Sequence, residues 1–285
     1  MNRIVALRRR ALCLLVGVML ALLGGSPAWA ADEPRLALVI VNGGYQSFDK
    51  LPSTYADGDK IATALNATGF VDATGTGPVQ VRRDLTRAAM LEAIAQFRER
   101  LAAAGPKAFG TLYFSGHGAA LGSYGDVMLL PVDAGHDVSA ESATLTRATL
   151  TRNRLGSGAK TMLIVLDMCR NVLSAPPPSL TQLIAEQTGV AQSAVGELAG
   201  SKGLRRMVRA PAAAVRPDQG YLVAFSTSAD QFAFDDGIFS KVLAEEIRRP
   251  QQNIADALKR VSDRVALSSG KNFQKPTFDY GLQGA

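Results

Sequence analysis

Apolar runs alternate with helix-like amphipathic segments along most of the chain. Leu36–Val41 and Met162–Leu166 contain no polar residue, which is typical of strands buried on both faces of a sheet. Met90, Ile94 and Phe97 recur at the spacing of a helix face. The pattern predicts strands over 35–41, 79–83, 110–114, 127–131, from 161 to near 169, and 221–226, and helices over 57–68, 86–104, 239–248 and 253–268.

Strands and helices that interleave in this order favour an α/β fold. Continuous apolar strands connected through helices are typical of a parallel sheet with helices on both faces. We therefore expect a three-layer sandwich around a mainly parallel sheet of about six strands. The segment 174–216 interrupts this pattern, because it is rich in proline, alanine and polar residues, and we expect a long loop insertion there.

The first thirty residues resemble a targeting segment. Arg3 and 8–10 precede an apolar run over 11–23, and 26–30 ends in small residues suited to cleavage. We expect a signal peptide over 1–30, one domain over 31–285, and a periplasmic or secreted protein. The apolar run is short for a spanning helix, so stable membrane insertion is not expected after cleavage. An uncleaved anchor and a twin-arginine export route both stay open.

Removing this segment changes the charge and the cysteine content. It carries four arginines and no acid, so the formal net charge falls from +6 to +2. A basic footprint for nucleic acid is therefore not predicted. Of the two cysteines, Cys13 leaves with the segment and Cys169 stays, which excludes an intramolecular disulfide. An unpaired cysteine in an exported protein is unusual enough to suggest a chemical role.

Cys169 and His117 each follow an apolar strand. Functional groups in open α/β sheets collect at the carboxyl ends of strands. If the two strands are neighbours, the imidazole reaches the thiol and stabilises the thiolate, which is the reactive form. The backbone N–H groups of Gly118 and Cys169 are candidates for an oxyanion hole. The competing interpretation is a buried structural cysteine and a turn histidine. His136 is read as a surface residue, and a metal site is not expected.

Together these motifs resemble those of the caspase-like cysteine peptidases (peptidase C14), and within them the bacterial metacaspase-like members. The two specific ones are Tyr-Phe-Ser-Gly-His-Gly over 113–118 and Asp-Met-Cys-Arg-Asn over 167–171. The resemblance implies a caspase-like sandwich and a His117/Cys169 dyad that acts on peptide or protein substrates. Supporting matches lie at 35–42 with Tyr45, at Asp57 with Leu65 and 69–70, at 129–133 and at 225–237.

The resemblance also implies an acidic S1 pocket that takes Arg or Lys at P1. Its matching positions are Asp57, Ser115 and Asp167. Carboxylates beside a cleft would pair with a guanidinium through charge-assisted hydrogen bonds. The alternatives are a helix N-cap for Asp57 and a carboxylate bonded to local backbone for Asp167.

Two departures from the family pattern qualify the resemblance. Met168 stands where a small residue is usual, and 228–230 replaces a glycine-richer stretch, which affects the pocket wall more than the dyad. The acidic calcium cluster of some eukaryotic members has no clear counterpart, so neither calcium dependence nor another cofactor is expected. The 174–216 loop lies where caspases are cut, and it offers basic autoprocessing positions at Lys202, Arg205, Arg206 and Arg209.

Three other functions stay open at this point. One is a related Cys/His peptidase, legumain-like or gingipain-like, with another P1 preference. The second is a caspase-like binding or signalling module without turnover, and retention of both His117 and Cys169 argues against it. The third is a redox role for Cys169, which lacks a resolving cysteine within the mature chain. The sequence does not indicate the oligomeric state.

Overall fold

The structure of the chain is a computed structural model, and the described part begins shortly before its first strand. It covers residues 33–120, 127–135, 145–146, 161–168, 220–228, 236–250, 253–268 and 274–280. A compact unit begins at Arg35. The proposed signal segment, the 174–216 loop, His136 and Cys169 lie outside the described residues.

Strands and helices alternate through the described residues as the apolar pattern predicts. The strands are β1 Arg35–Val41, β2 Val71–Asp72, β3 Val81–Arg83, β4 Phe109–Ser115, β5 Gly118–Ala120, β6 Val127–Leu129, β7 Leu145–Thr146, β8 Thr161–Asp167, β9 Gly220–Phe225 and β10 Thr277–Tyr280. The helices are α1 Ser53–Ala67, α2 Arg87–Ala104, α3 Ile238–Ile247 and α4 Ile254–Ser268.

Within the described residues, the main sheet has seven strands and is parallel except at one edge. Its order is β10-β9-β8-β4-β1-β2. Strand β3 pairs with the same edge of β1 as β2 does, further along towards the carboxyl end of β1. The antiparallel strand is β10, against β9. The long strands share one register, so that Val41, Ser115 and Asp167 form a row where β1, β4 and β8 end. This arrangement confirms the predicted α/β fold with a mainly parallel sheet.

The two faces of the sheet carry separate apolar cores. Because side chains alternate along a strand, odd and even positions of β4 and β8 reach opposite layers. On one face, α2 packs on Leu38, Leu112 and Ile164. On the other, which we call the α1 face, helices α1, α3 and α4 pack on Val39, Val165 and their neighbours. Helices therefore cover both faces, as the sequence predicts.

A buried carboxylate ties α3 to α4 on the α1 face. Glu246 is fully buried and accepts from Arg260 at 2.9 Å and from Arg264 at 2.7 Å. Burial acts to raise the pKa of Glu246, but the hydrogen bonds from Arg260 and Arg264 together with the nearby arginine charges outweigh it and hold the pKa below its usual value. Because the carboxylate belongs to α3 and both arginine donors belong to α4, these bonds fix the angle between the two helices.

The small second sheet corrects one sequence prediction. Residues 127–131 were predicted to form one strand, but β6 covers only Val127–Leu129 and pairs antiparallel with β5 and β7, outside the main sheet. An apolar run shows that a strand is buried but not which sheet it joins. Helix α1 also begins four residues earlier than predicted, at Ser53, which makes the N-cap interpretation of Asp57 wrong. Of the helices that the structure describes, none has both the length and the apolarity to cross a membrane.

Candidate active site

His117 lies two residues beyond the end of β4, after a bend at Gly116. The N–H of Gly116 donates to the carbonyl of Asp167 at 3.3 Å, which continues the β4–β8 pairing past the strand end. A Cβ atom at position 116 would lie 2.6 Å from the hydroxyl oxygen of Tyr45. A side chain there would displace this tyrosine, so glycine at 116 allows Tyr45 to approach the backbone.

The imidazole of His117 is oriented by a backbone carbonyl. Its Nε2 lies 2.8 Å from the carbonyl oxygen of Asp49. A carbonyl oxygen only accepts hydrogen bonds, so Nε2 carries the proton in this contact. In the neutral ring Nδ1 is then the unprotonated nitrogen and is available as a base. The contact therefore selects the tautomer that is protonated at Nε2 and leaves Nδ1 as the basic nitrogen of the ring.

Two aromatic rings pack against this imidazole. The ring centroid of Tyr45 lies 4.6 Å from that of His117, and the centroid of Phe48 lies 5.7 Å away. The Tyr45 hydroxyl also accepts from the His117 N–H at 2.7 Å and donates to the Leu130 carbonyl at 3.0 Å. One buried phenol thus fixes the backbone of His117, while its ring restricts the imidazole.

Asp84 holds the segment that carries these aromatic residues. Its Oδ1 accepts from the N–H of Gly43 at 2.9 Å and of Gly44 at 2.7 Å, and its Oδ2 accepts from the Tyr55 hydroxyl at 2.7 Å. These bonds keep Asp84 in a left-handed backbone conformation, at φ 53°, which is costly for a residue with a Cβ atom. The segment from β1 to α1 is therefore anchored immediately before it reaches Tyr45.

A second group of polar residues lies along the row where β4, β8 and β9 end. Ser115 and Asp167 are register partners, and the N–H of Ser226 donates to the carbonyl of Leu166 at 3.0 Å. Ser115 lies two residues after Tyr113, and Asp167 two after Val165, so both point to the α1 face. The Tyr113 hydroxyl donates to Asp167 Oδ2 at 3.0 Å. The hydrogen-bond donor to Asp167 among the described residues is thus a side chain on the neighbouring strand.

Asp57 reaches the same region from α1. It is 4% exposed, and its Oδ1 accepts from the Ser240 hydroxyl of α3 at 2.6 Å. Lys60, one helical turn further on, lies 3.0 Å from the same oxygen. Burial raises the pKa of both Asp167 and Tyr113, and the negative charge of Asp57 adds to the rise in each, so Asp57 lies within electrostatic reach of both groups. The structure therefore brings together the three predicted S1 positions.

Asp57 and Asp167 share one partly buried region, where ionisation of both carboxyl groups is costly. Asp167 keeps some exposed surface, yet protein surrounds its carboxyl group closely enough that burial raises its pKa to about 7. The negative charges of Asp57 and Asp236 add to the rise, and hydrogen bonding by Tyr113 opposes it. The buried Ser226 hydroxyl also favours the ionised form, although no bond of normal geometry joins it to the described residues. A cation placed here would relieve the repulsion.

Of the predicted dyad and oxyanion residues, the structure describes His117 and Gly118. Cys169 is the residue after Met168, where the described part of β8 and its turn stop, so its own position remains a prediction. Gly118 opens β5 opposite Leu129. Met168 is buried in the α2-side core beside Gly118, on the face opposite Asp167. The side chain of Met168 therefore lies on the sheet face opposite the one that Ser115 and Asp167 face.

Several residues that shape the site were not predicted from the sequence. Tyr45 was matched only as part of a strand motif, and the roles of the Asp49 carbonyl, Tyr113 and Ser226 were missed. Among the described residues, no group of three or more His, Cys, Asp or Glu side chains is arranged to hold a metal ion. The four basic loop positions, Lys202, Arg205, Arg206 and Arg209, lie outside the described residues.

Comparisons with known proteins agree with this architecture. Residues 34–283 match the sequence model of the caspase domain, Peptidase C14. Among solved structures, protein GSU0716 from Geobacter sulfurreducens is similar, with a TM-score of 0.54 and 16% identity over 87% of this chain and 93% of that one. At that identity the similarity shows the fold alone. No curated protein matches the chain.

Replacing Tyr45 by Phe tests the anchor of His117. The change leaves the His117 N–H and part of the bonding of the Leu130 carbonyl unsatisfied, so we expect the free energy of unfolding to fall by about 1–2 kcal/mol. The measurement is urea denaturation of the full chain. Tyr221→Phe is the matched control, because the Tyr221 hydroxyl makes no hydrogen bond within the described residues. Equal losses in both variants would contradict the anchor.

Replacing Asp167 by Asn tests the electrostatic cost of the acidic pair. A carboxyl whose pKa is raised from 3.8 to about 7 favours folding fully below pH 4 and loses that contribution as pH rises through 7. The variant should therefore match the wild type at pH 4 and exceed its stability at pH 8 by up to about 4 kcal/mol, which is the size that a rise in pKa from 3.8 to about 7 corresponds to. Denaturation at the two pH values measures this. A difference that does not change with pH would refute it.

Proposed function

Because this chain belongs to the caspase-domain family of peptidases (Peptidase C14), we propose that it is an exported cysteine endopeptidase that cleaves after Arg or Lys. The observation that carries the catalytic part is the hydrogen bond from His117 Nε2 to the Asp49 carbonyl. It leaves Nδ1 as the basic nitrogen, at the end of a strand directly paired with the one that leads to Cys169.

In this mechanism the Cys169 thiol gives its proton to Nδ1 of His117, and the thiolate attacks the carbonyl carbon of the scissile bond. The N–H groups of Gly118 and Cys169 are the proposed donors to the oxygen that becomes negative. His117 then protonates the leaving amine, so the C–N bond breaks and an acyl-thioester remains. Water, deprotonated by the same imidazole, hydrolyses that ester and restores the thiol.

The proposed S1 pocket uses Asp57, Ser115 and Asp167. An arginine guanidinium presents donors in a fork that pairs with carboxylates, and both carboxylates here are held by other donors before substrate arrives. A P1 cation also offsets the repulsion between the two acids, whereas a P1 aspartate would add to it. This electrostatic difference supports a basic P1 preference over an acidic one.

Two further parts of the proposal concern processing. Residues 1–30 have the charge and apolar pattern of an export signal, and the 174–216 loop carries four basic residues that suit the same S1 preference. We therefore include export with removal of the first thirty residues, and autoprocessing at Lys202, Arg205, Arg206 or Arg209. No cofactor is required by the proposed chemistry.

A fluorogenic peptide panel that varies only P1 tests the activity. We expect cleavage after Arg and Lys by the wild type, and loss of at least about a thousandfold in kcat with Cys169→Ala, since the nucleophile is absent. For an Arg substrate, kcat/KM should also rise as pH passes about 7, because Asp167 must ionise to pair with the cation.

The matched substrate is one with an uncharged P1 residue of similar length, whose pH profile should lack the Asp167 step. Turnover that persists in Cys169→Ala would contradict the dyad. Peptide binding without turnover, even after cleavage of the loop by another protease, would instead indicate a non-catalytic caspase-like module. Equal rates for substrates with Asp and Arg at P1 would contradict only the acidic pocket and leave the dyad unaffected.

Intact mass spectrometry tests the two processing steps on protein recovered from the envelope fraction or medium of an expressing cell. We expect wild type to have lost residues 1–30 and to be divided within 202–209, since the proposed enzyme accepts basic P1 residues. Cys169→Ala should lose the first segment only. Identical masses for the two proteins would refute autoprocessing, and retention of the first thirty residues would refute signal removal.

A further inference from the structure

Lys60 contacts a carboxylate that the proposed substrate would also need. Its Nζ lies 3.0 Å from Asp57 Oδ1, and its side chain is 42% exposed while that of Asp57 is 5% exposed. The lysine therefore reaches inward from solvent to a buried acid. The same oxygen already accepts from the Ser240 hydroxyl at 2.6 Å, so Asp57 has a donor on α3 independent of Lys60.

The start of α3 is shaped to admit this contact. Gly237 precedes the helix in a left-handed conformation, at φ 67°. A Cβ atom there would lie 3.0 Å from Asp57 Oδ1 and 3.1 Å from Lys60 Nζ. Glycine at 237 thus satisfies the backbone and leaves room beside the ion pair, where a larger residue would crowd both partners.

From this geometry we propose that Lys60 is an internal competitor of the P1 cation and so sets how tightly the S1 site binds basic residues. The inference rests on the proposed function. In the free protein the ammonium group occupies one acceptor position of Asp57. A P1 guanidinium must share or displace it, and the flexible, partly exposed lysine withdraws into solvent when it does.

The proposal separates affinity from the chemical step. Lys60 neutralises part of the negative charge that attracts P1, so its removal should strengthen binding of basic ligands and leave uncharged ones unaffected. A merely structural role predicts the reverse, because Asp57 would then lose a group that orients it. Ser240 keeps one bond to Asp57 in either case.

Agmatine, a small guanidinium compound, provides the test without turnover. Its binding is measured by calorimetry at pH 8.5 to full-length Cys169→Ala protein, with and without Lys60→Met. We expect the dissociation constant to fall about fivefold in the variant, a size consistent with a partly exposed ion pair. Lys60→Arg, which keeps the charge, should bind as the parent does.

Lys107→Met is the matched charge control. Lys107 precedes β4 and lies at the opposite end of that strand from Ser115, about 20 Å away. Its replacement by Met should therefore leave the dissociation constant of agmatine unchanged. In the active protein, Lys60→Met should lower KM for an Arg substrate by a similar factor, with kcat unchanged and no effect on an uncharged P1.

The outcomes separate this inference from the function on which it rests. Tighter agmatine binding in Lys60→Met alone supports competition. Equal binding overturns it and leaves the acidic pocket standing. Weaker binding overturns it as well and assigns Lys60 to orienting Asp57. If agmatine binds none of the proteins, both the competition and the acidic S1 pocket are refuted, while the P1 panel with Cys169→Ala still decides whether the dyad operates.

Discussion

The ladder of hydrogen bonds that joins β1, β4 and β8 in parallel register places the ends of all three strands in one row. Val41, Ser115 and Asp167 are its members at the carboxyl edge. The segments that leave the three strands therefore enter the same space: the loop with Tyr45 after β1, His117 after β4 and the approach to Cys169 after β8. A shift of one residue in β8 would turn Asp167 from the α1 face into the α2 core.

This shared edge divides into two environments with different physical demands. Around His117 the interactions are neutral and specific, with a carbonyl for Nε2 and a buried phenol for the backbone N–H. Around Asp167 they are electrostatic and unfavourable, since two carboxylates share one partly buried region. Orientation of a base needs rigidity and no net charge, whereas attraction of a cation needs charge that the fold does not fully compensate. In the proposed function, the separation of these two environments along the row lets each demand be met.

The sequence predicted the parts of this arrangement that depend on residue type and period. Apolar runs identified the long strands, and the residues that follow their ends identified His117, whereas Ser115 and Asp167 came from the resemblance to the caspase-like peptidases. It did not predict β10 or β2, because short edge strands have no continuous apolar run. Nor could it predict the Asp49 carbonyl, 68 positions before His117, since any residue at position 49 supplies the same acceptor.

The same distinction explains why Lys60 carries information that motif matching lacks. A motif marks Asp57 as an acid that could attract a cation, but it does not include Lys60, a cation one helical turn away. The strength of an acidic site depends on its net field, to which the nearest counter-ion contributes as directly as the acids themselves. Two chains with identical acids can therefore differ in affinity for the same side chain. In this chain the difference would originate on α1, outside the motifs that contain His117 and Cys169.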